Sequence, residues 1–292
     1  MKVEEVADKI YWFKTTLPAV SIPFAVYLIR ESEGVLIEPG PSVIIPSIQE
    51  AMEYLGMRNL DYIIPTHIHV DNGGGAGSLA QLFPHAKVVI HPHGAKHLVD
   101  PSKLIEGTKM VWGNNFASYL GPIAPVPESQ LKITADGEII SVGDRELQIL
   151  YAPGHAPHQI AIFDRSVGGL FCGEALGGAT KHQMPAVAPP SFDLEVYVAT
   201  IEKLRQLGAR LLFYSHGGAW EKPERLISTA AEKARMYGDM ILNALRQGQK
   251  PEDISRSIGD YIMDRFGARI AGMDLQTTVD GYAIYFKRKG LV

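Results

Sequence analysis

Residues 60 to 75 read LDYIIPTHIHVDNGGG. The first six, LDYIIP, form a short apolar strand, and THIHVDN follows at once, so His67, His69 and Asp71 leave the carboxyl end of a buried strand. Gly73, Gly74 and Gly75 let the backbone turn sharply beside them. Two other places repeat the arrangement: Pro153-Gly154-His155 follows LQILYA, and Ser215-His216-Gly217 follows ARLLFY. Taken alone, each histidine is an ordinary loop residue. Three apolar strands that each end in a metal-capable side chain are a different matter. A sheet aims such loops at a common edge, and two histidines at i and i+2 with a third from elsewhere supply the imidazole donors that Zn²⁺ or Fe²⁺ prefers over bare carboxylate.

Working outward, KIYWFKT, FAVYLIRES and GVLIEPG between residues 9 and 38 read as strands joined by hairpins. Residues 45 to 57, IPSIQEAMEYLGM, carry helical apolar spacing. AGSLAQLF reads as a helix, AKVVIH as a strand and PHGAKHLVDPSKL as one further helix, while residues 102 to about 130 are weakly patterned. From 131, LKITADGEIISVGDRELQILYAPGH gives three strands with turns at Asp136-Gly137 and Gly143-Asp144, then QIAIFD and GGLFCGE, which reads as a second sheet following the first. LEVYVATIEKLRQLG is an amphipathic helix. Residues 224 to about 265 form two helical patterns joined at GQKPED, with Pro251 in a first turn.

The order His67-x-His69-x-Asp71, Gly154-His155, Gly173-Glu174 and Ser215-His216 resembles the metallo-β-lactamase superfamily, over residues 9 to about 220. Within it, HPHGAKHLVDPSKL and the Pro-rich stretch before FDLE are similar to single-domain hydrolases related to glyoxalase II. The resemblance implies an α/β fold, an αββα sandwich of two mixed sheets flanked by helices, with residues 1 to 222 as the catalytic domain and 223 to 292 as a helical carboxyl-terminal extension packed on it. It also implies that His67, His69 and His155 bind a first metal, that Asp71 and His216 bind a second, and that Glu174 bridges. Asn72 stands where the family has a second-metal histidine, and Glu174 where Asp is usual. An amide oxygen is a weaker ligand than imidazole for Zn²⁺ or Fe²⁺. Either two divalent ions in altered geometry or one ion with Asp71 acting as base fits; zinc, iron and manganese all suit the donors.

The function expected is hydrolysis of a small acyl substrate, a thioester, lactone or similar ester. The metal lowers the pKa of its water from about 16 to about 7, and Asp71 orients the resulting hydroxide. The alternative is a non-haem iron protein that binds or reduces dioxygen or oxidises a thiol or persulfide, since superfamily relatives hold iron in nearly the same cage. Flavin-linked oxygen reductases of the family, however, carry Glu where His69 stands and append a flavodoxin domain, and no phosphate-binding loop follows Trp220. His158 and His97 are candidates to support the ligands, with Asn72 a weak ligand. Glu38 reads as a tie between loops, and His182 lies in a Pro-rich loop that could wall the substrate. His91-x-His93 with His97 has ligand-like spacing but no fourth donor in register.

The chain of 292 residues is 46% hydrophobic and can bury a large core; its net charge of −4 without a long basic run argues against nucleic acid. The single cysteine, Cys172, precludes an intramolecular disulfide and reads as buried and inert. No apolar span reaches membrane length and the amino terminus lacks an export pattern, so the expectation is a cytoplasmic protein with a small-molecule substrate and no membrane partner. The carboxyl-terminal helices read as a lid or a homodimer surface.

Overall fold

The computed structural model describes residues 2–17, 23–180, 182–270 and 272–292. The link between KIYWFKT and FAVYLIRES at 18–22, and Lys181 of the Pro-rich loop, lie outside the described residues. The chain folds as two compact units.

The first unit spans Met1–Tyr151, His158–Gly173 and Ala209–Glu221. It holds two mixed sheets. In one the order follows the chain: β1 (Val3–Ala7), β2 (Ile10–Thr16), β3 (Pro23–Arg30), β4 (Gly34–Ile37), β5 (Tyr62–Ile64), β6 (Lys87–Ile90) and β7 (Leu131–Ile133). Pairing is antiparallel through β4 and parallel from there to β7. The other sheet contains β8 (Ile139–Val142), β9 (Arg145–Tyr151), β10 (Ile160–Asp164), β11 (Gly169–Gly173), β12 (Leu211–Tyr214) and β13 (Gly218–Glu221), in the order β13-β12-β11-β10-β9-β8. Only the β11–β12 pairing is parallel there.

Period-two side-chain alternation explains why the strands of the first sheet read as apolar throughout. On β3, Ala25, Tyr27 and Ile29 point into a core shared with Ile149, Ile162, Phe171 and Phe213 of the second sheet. Phe24, Val26 and Leu28 point the other way, to a core built with helices α1 (Ile45–Tyr54), α3 (Ala76–Leu82) and α4 (Pro92–Val99). Both faces of the sheet are therefore dry, as parallel strands require. Helix α2 (Val70–Gly73) is a single turn just after the strand-β5 histidines, and α5 (Ser102–Trp112) and α6 (Ala117–Leu120) complete this unit's helices among the described residues. Two mixed sheets flanked by helices are the architecture expected from the sequence.

Three local readings are corrected. PHGAKHLVDPSKL is not one helix: α4 stops at Val99 because Asp100, ahead of Pro101, is held extended (φ −117°, ψ 96°), and α5 begins afresh at Ser102. The strand at 131 belongs to the first sheet, paired in parallel with β6 through Val88↔Leu131 and Ile90↔Ile133, and does not open the second. The weakly patterned stretch after 102 is largely helical, and strands β1 and β13, unassigned from sequence, are present.

The second unit spans Ala152–Pro157, Glu174–Gly208 and Lys222–Val292. It contains α7 (Leu194–Arg205), α8 (Glu224–Arg246), α9 (Pro251–Phe266) and α10 (Gly272–Arg288). Pro251 opens α9, and Gly267 closes it in the left-handed conformation (φ 64°). On α8, Ile227, Ala230, Ala231, Ala234, Tyr237 and Ile241 form one buried stripe at helical spacing. No helix of the described residues is long and apolar enough to cross a membrane.

Candidate metal centre

Strand β5 delivers Thr66 and His67, both fully buried, and His69 begins the single turn α2 that carries Asp71 and Asn72. The Thr66 hydroxyl donates its one proton to Glu38 Oε1 at 2.6 Å and lies 3.1 Å from His67 Nδ1. That hydroxyl therefore accepts from Nδ1–H, and the lone pair of His67 resides on Nε2. Asn72 Nδ2 stands 3.2 Å from the same Nε2. The rings of His67 and His69 meet edge to face at 4.7 Å, and His158 stacks at 6.2 Å on His67 and edge-on at 5.5 Å to His69. His158 thus lies beside these two histidines.

Glu38 follows strand β4, is 4% exposed, and has a left-handed backbone (φ 59°) that a non-glycine residue rarely adopts. Its Oε1 also accepts from Ser215 at 2.8 Å. One carboxylate oxygen thereby ties the loop after β5 to the loop after β12, which is the tie the sequence suggested. In that second loop His216 Nδ1 donates to the Pro23 carbonyl at 2.9 Å and its Nε2 lies 3.5 Å from Asp71 Oδ2. Gly173, at the end of β11, has φ 55°, and a Cβ there would stand 2.5 Å from Thr66 Oγ1, so the position admits only glycine.

In the second unit, Gly154 has φ 131°, and its missing Cβ would fall 2.4 Å from the Cα of Tyr197. The close approach sets His155 just after β9. His155 Nδ1 donates to the Ala186 carbonyl at 3.2 Å, and its Nε2 lies 2.9 Å from Glu174 Oε2. The Tyr197 hydroxyl donates to the Glu174 carbonyl at 3.2 Å. Among the described residues, His67, His69, His155 and Glu174 each offer one ligand atom, all within 4.8 Å of one another.

Of the residues singled out from sequence, these four form one group, His216 lies against Asp71, and Asn72 and His158 lie against the histidines. His97 does not join them: it is half-buried on α4, where burial lowers its pKa. His91, His93 and His97 form no metal-capable group of three among the described residues. His91 instead caps α4, its Nδ1 accepting from His93 N–H at 3.0 Å. The backbone carbonyl of His182 accepts from Tyr237, and burial lowers this histidine's pKa. Cys172 is fully buried, and burial raises its thiol pKa well above the ordinary value. Sequence reading missed Thr66, Ser215 and the Ala186 carbonyl. The two hydroxyls do directly precede His67 and His216, the one signal that could have found them.

The family model of the metallo-β-lactamase superfamily matches residues 23–216, which include all of these side chains. The chain belongs to the metallo-β-lactamase superfamily. Among relatives of this superfamily, the "Metallo-beta-lactamase fold-containing protein ST1585" of Sulfurisphaera tokodaii is 26% identical over 165 residues, covering 56% of this chain and 62% of that protein, so the match spans less than two thirds of the relative's length. The "Acyl-coenzyme A thioesterase MBLAC2" of Homo sapiens is 25% identical over 224 residues, 70% of this chain and 75% of that one. The crystal structure of the metallo-β-lactamase family protein TTHA1429 from Thermus thermophilus superimposes with a TM-score of 0.76 at 19% identity, covering 98% of this chain and 95% of its own, which shows a shared fold.

Proposed function

We propose that this protein is a metal-dependent hydrolase of a small acyl substrate, a thioester or related ester, with one divalent ion held by His67, His69, His155 and Glu174. The observation that carries the reading is the common orientation of the imidazoles. His67 and His155 each place Nδ1 against an oxygen, which leaves Nε2 as the nitrogen each can offer to an ion. His155 Nε2 stands 2.9 Å from Glu174 Oε2, an ion pair when the ring is protonated and a nitrogen–oxygen pair open to a shared cation when it is neutral. Three nitrogens and one oxygen lying within 4.8 Å of one another are a donor set that would suit zinc or iron.

The ion supplies Lewis acidity, bringing the pKa of water from about 16 to about 7 and favouring charge on a carbonyl oxygen. Asp71 Oδ2 takes the proton of the attacking water and returns it to the departing thiol or alcohol. His216, anchored through Nδ1 to Pro23, holds that carboxylate in place. Water thus adds to the acyl carbon as the C–S or C–O bond breaks. Support for the acyl class comes from the thioesterase among the relatives and from the expectation drawn from the site's sequence pattern.

The test is elemental analysis together with a panel of short and long acyl-coenzyme A thioesters and lactones, on wild type, His67→Ala and Asp71→Asn. About one metal per chain, lost in His67→Ala, is expected, with Asp71→Asn keeping the metal but hydrolysing roughly 10²–10⁴-fold more slowly. A chain that binds no metal, or variants as active as wild type, would overturn the proposal.

A further inference from the structure

Among the described residues, the stretch between Glu174 and Asp193 contains neither helix nor strand, yet much of it is buried. Its fixity comes from the carboxyl-terminal helices. On one side α8 grips its start: the Tyr237 hydroxyl donates to the His182 carbonyl at 3.0 Å, Gln183 donates to the Leu226 carbonyl, and Thr229 donates to Gln183 Oε1. On the other, α10 grips its end: Arg288 donates to the Pro190 and Phe192 carbonyls at 3.3 and 3.0 Å and to Asp193 Oδ2 at 3.1 Å, and Tyr282 packs edge-on against Phe192 at 4.9 Å.

Between these grips lies Ala186, whose carbonyl receives His155 Nδ1–H. The next residue, Val187, is 9% exposed and lies directly against Gly281 of α10. A Cβ on Gly281 would stand 2.2 Å from Val187 Cγ1 and 3.3 Å from Pro189 Cγ. Glycine inside a helix is unfavourable relative to alanine, so its place in the middle of α10 is accounted for by this contact.

We propose that α10 is a positioning element for the metal centre: Gly281 admits Val187 against the helix and thereby sets the carbonyl that fixes the ring of His155. The inference rests on the metal-centre reading above and assigns the carboxyl-terminal extension a task besides that of lid or subunit surface. A ligand histidine depends on the group that receives its other ring proton, and displacing such a partner typically weakens metal binding about 10–100-fold. Gly281 is a positioning residue, acting through Val187 and Ala186.

The experiment uses the full chain and Zn²⁺ alone, with affinity measured by competition against a chromophoric chelator, and circular dichroism confirming the fold of each metal-free variant. Gly281→Ala is expected to weaken Zn²⁺ binding by at least about 10-fold, and Val187→Ala introduced beside it, which removes the clashing methyl, to return affinity to within about 3-fold of Val187→Ala alone. A folded Gly281→Ala that binds Zn²⁺ like wild type, or a double variant no better than the single, overturns the inference while leaving the metal centre standing. If wild type binds no Zn²⁺, or His155→Ala binds it unchanged, the metal-centre reading fails and the inference with it. Should Gly281→Ala not fold, Arg288→Ala loosens the same loop from an exposed position; unchanged Zn²⁺ affinity there overturns the inference equally.

Discussion

Asn72 Nδ2 lies 3.2 Å from His67 Nε2, the nitrogen that the Thr66 hydroxyl leaves with a lone pair. In the metal-free chain the Asn72 amide N–H faces that lone pair, which a bound ion would take in its place. Asn72 is 1% exposed and bonds to the histidine cluster, whereas Asp71 and His216 pair with each other at 3.5 Å. In this arrangement the position 72 nitrogen lies against a candidate ligand.

Asn72→His puts an imidazole next in sequence to Asp71 in place of the amide. The expected outcome is a rise from about one to about two divalent ions per chain, read by elemental analysis after dialysis, because imidazole binds zinc or iron much better than an amide. A ratio that stays at one would show that the missing donor is not what limits the second position.

Thr66 is the relay between Glu38 and His67, and its removal tests whether that relay governs the site. Thr66→Val keeps the shape but leaves His67 Nδ1 without this acceptor and Glu38 Oε1 without one of its two donors. Zinc affinity is expected to fall about 10–100-fold and folding stability by about 1–3 kcal/mol, as for other buried polar groups stripped of a partner. Thr66→Ser, which returns the hydroxyl, should recover most of both. Chelator competition and urea unfolding measure the two quantities separately, and equal affinity in the valine variant would remove Thr66 from the account.

These residues also mark how far the sequence could be read. The candidate ligands were legible because a strand end is a local pattern: apolar run, then His, with glycine beside it. The interlocking of Glu38 with Thr66 and Ser215 was visible only as a suggestion, since the residues are 28 and 177 positions apart. Sheet membership failed for a related reason. β7 is followed by hairpin-like turns that read as a meander with β8 and β9, while its actual pairing with β6 is parallel and spans more than 40 residues, a relation no local period encodes. The break at Pro101 was legible in principle, from the restriction proline places on Asp100, but the helical spacing of the flanking residues outweighed it.

His91 supplies the pH dependence. It is 6% exposed at the end of β6, its Nδ1 caps α4, and its ring lies 4.1 Å from Tyr151 and 4.9 Å from His93. Burial first, and then the charge of His93, lower its pKa from 6.5 to about 4. A folded-state pKa below the unfolded one means that the unfolded chain binds the proton more readily. The contribution of neutral His91 is therefore complete above pH 6.5 and is lost as the pH falls from there toward 4. Protonating Nδ1 also removes the acceptor that caps the helix. The loss is expected to be on the order of 2 kcal/mol. His91→Asn keeps a capping acceptor and does not titrate. Urea midpoints measured at pH 7 and pH 4.5 should thus fall further for wild type than for His91→Asn, with the carboxylates common to both cancelling in the difference. Parallel curves for the two proteins would mean that His91 is protonated at no cost in the folded state.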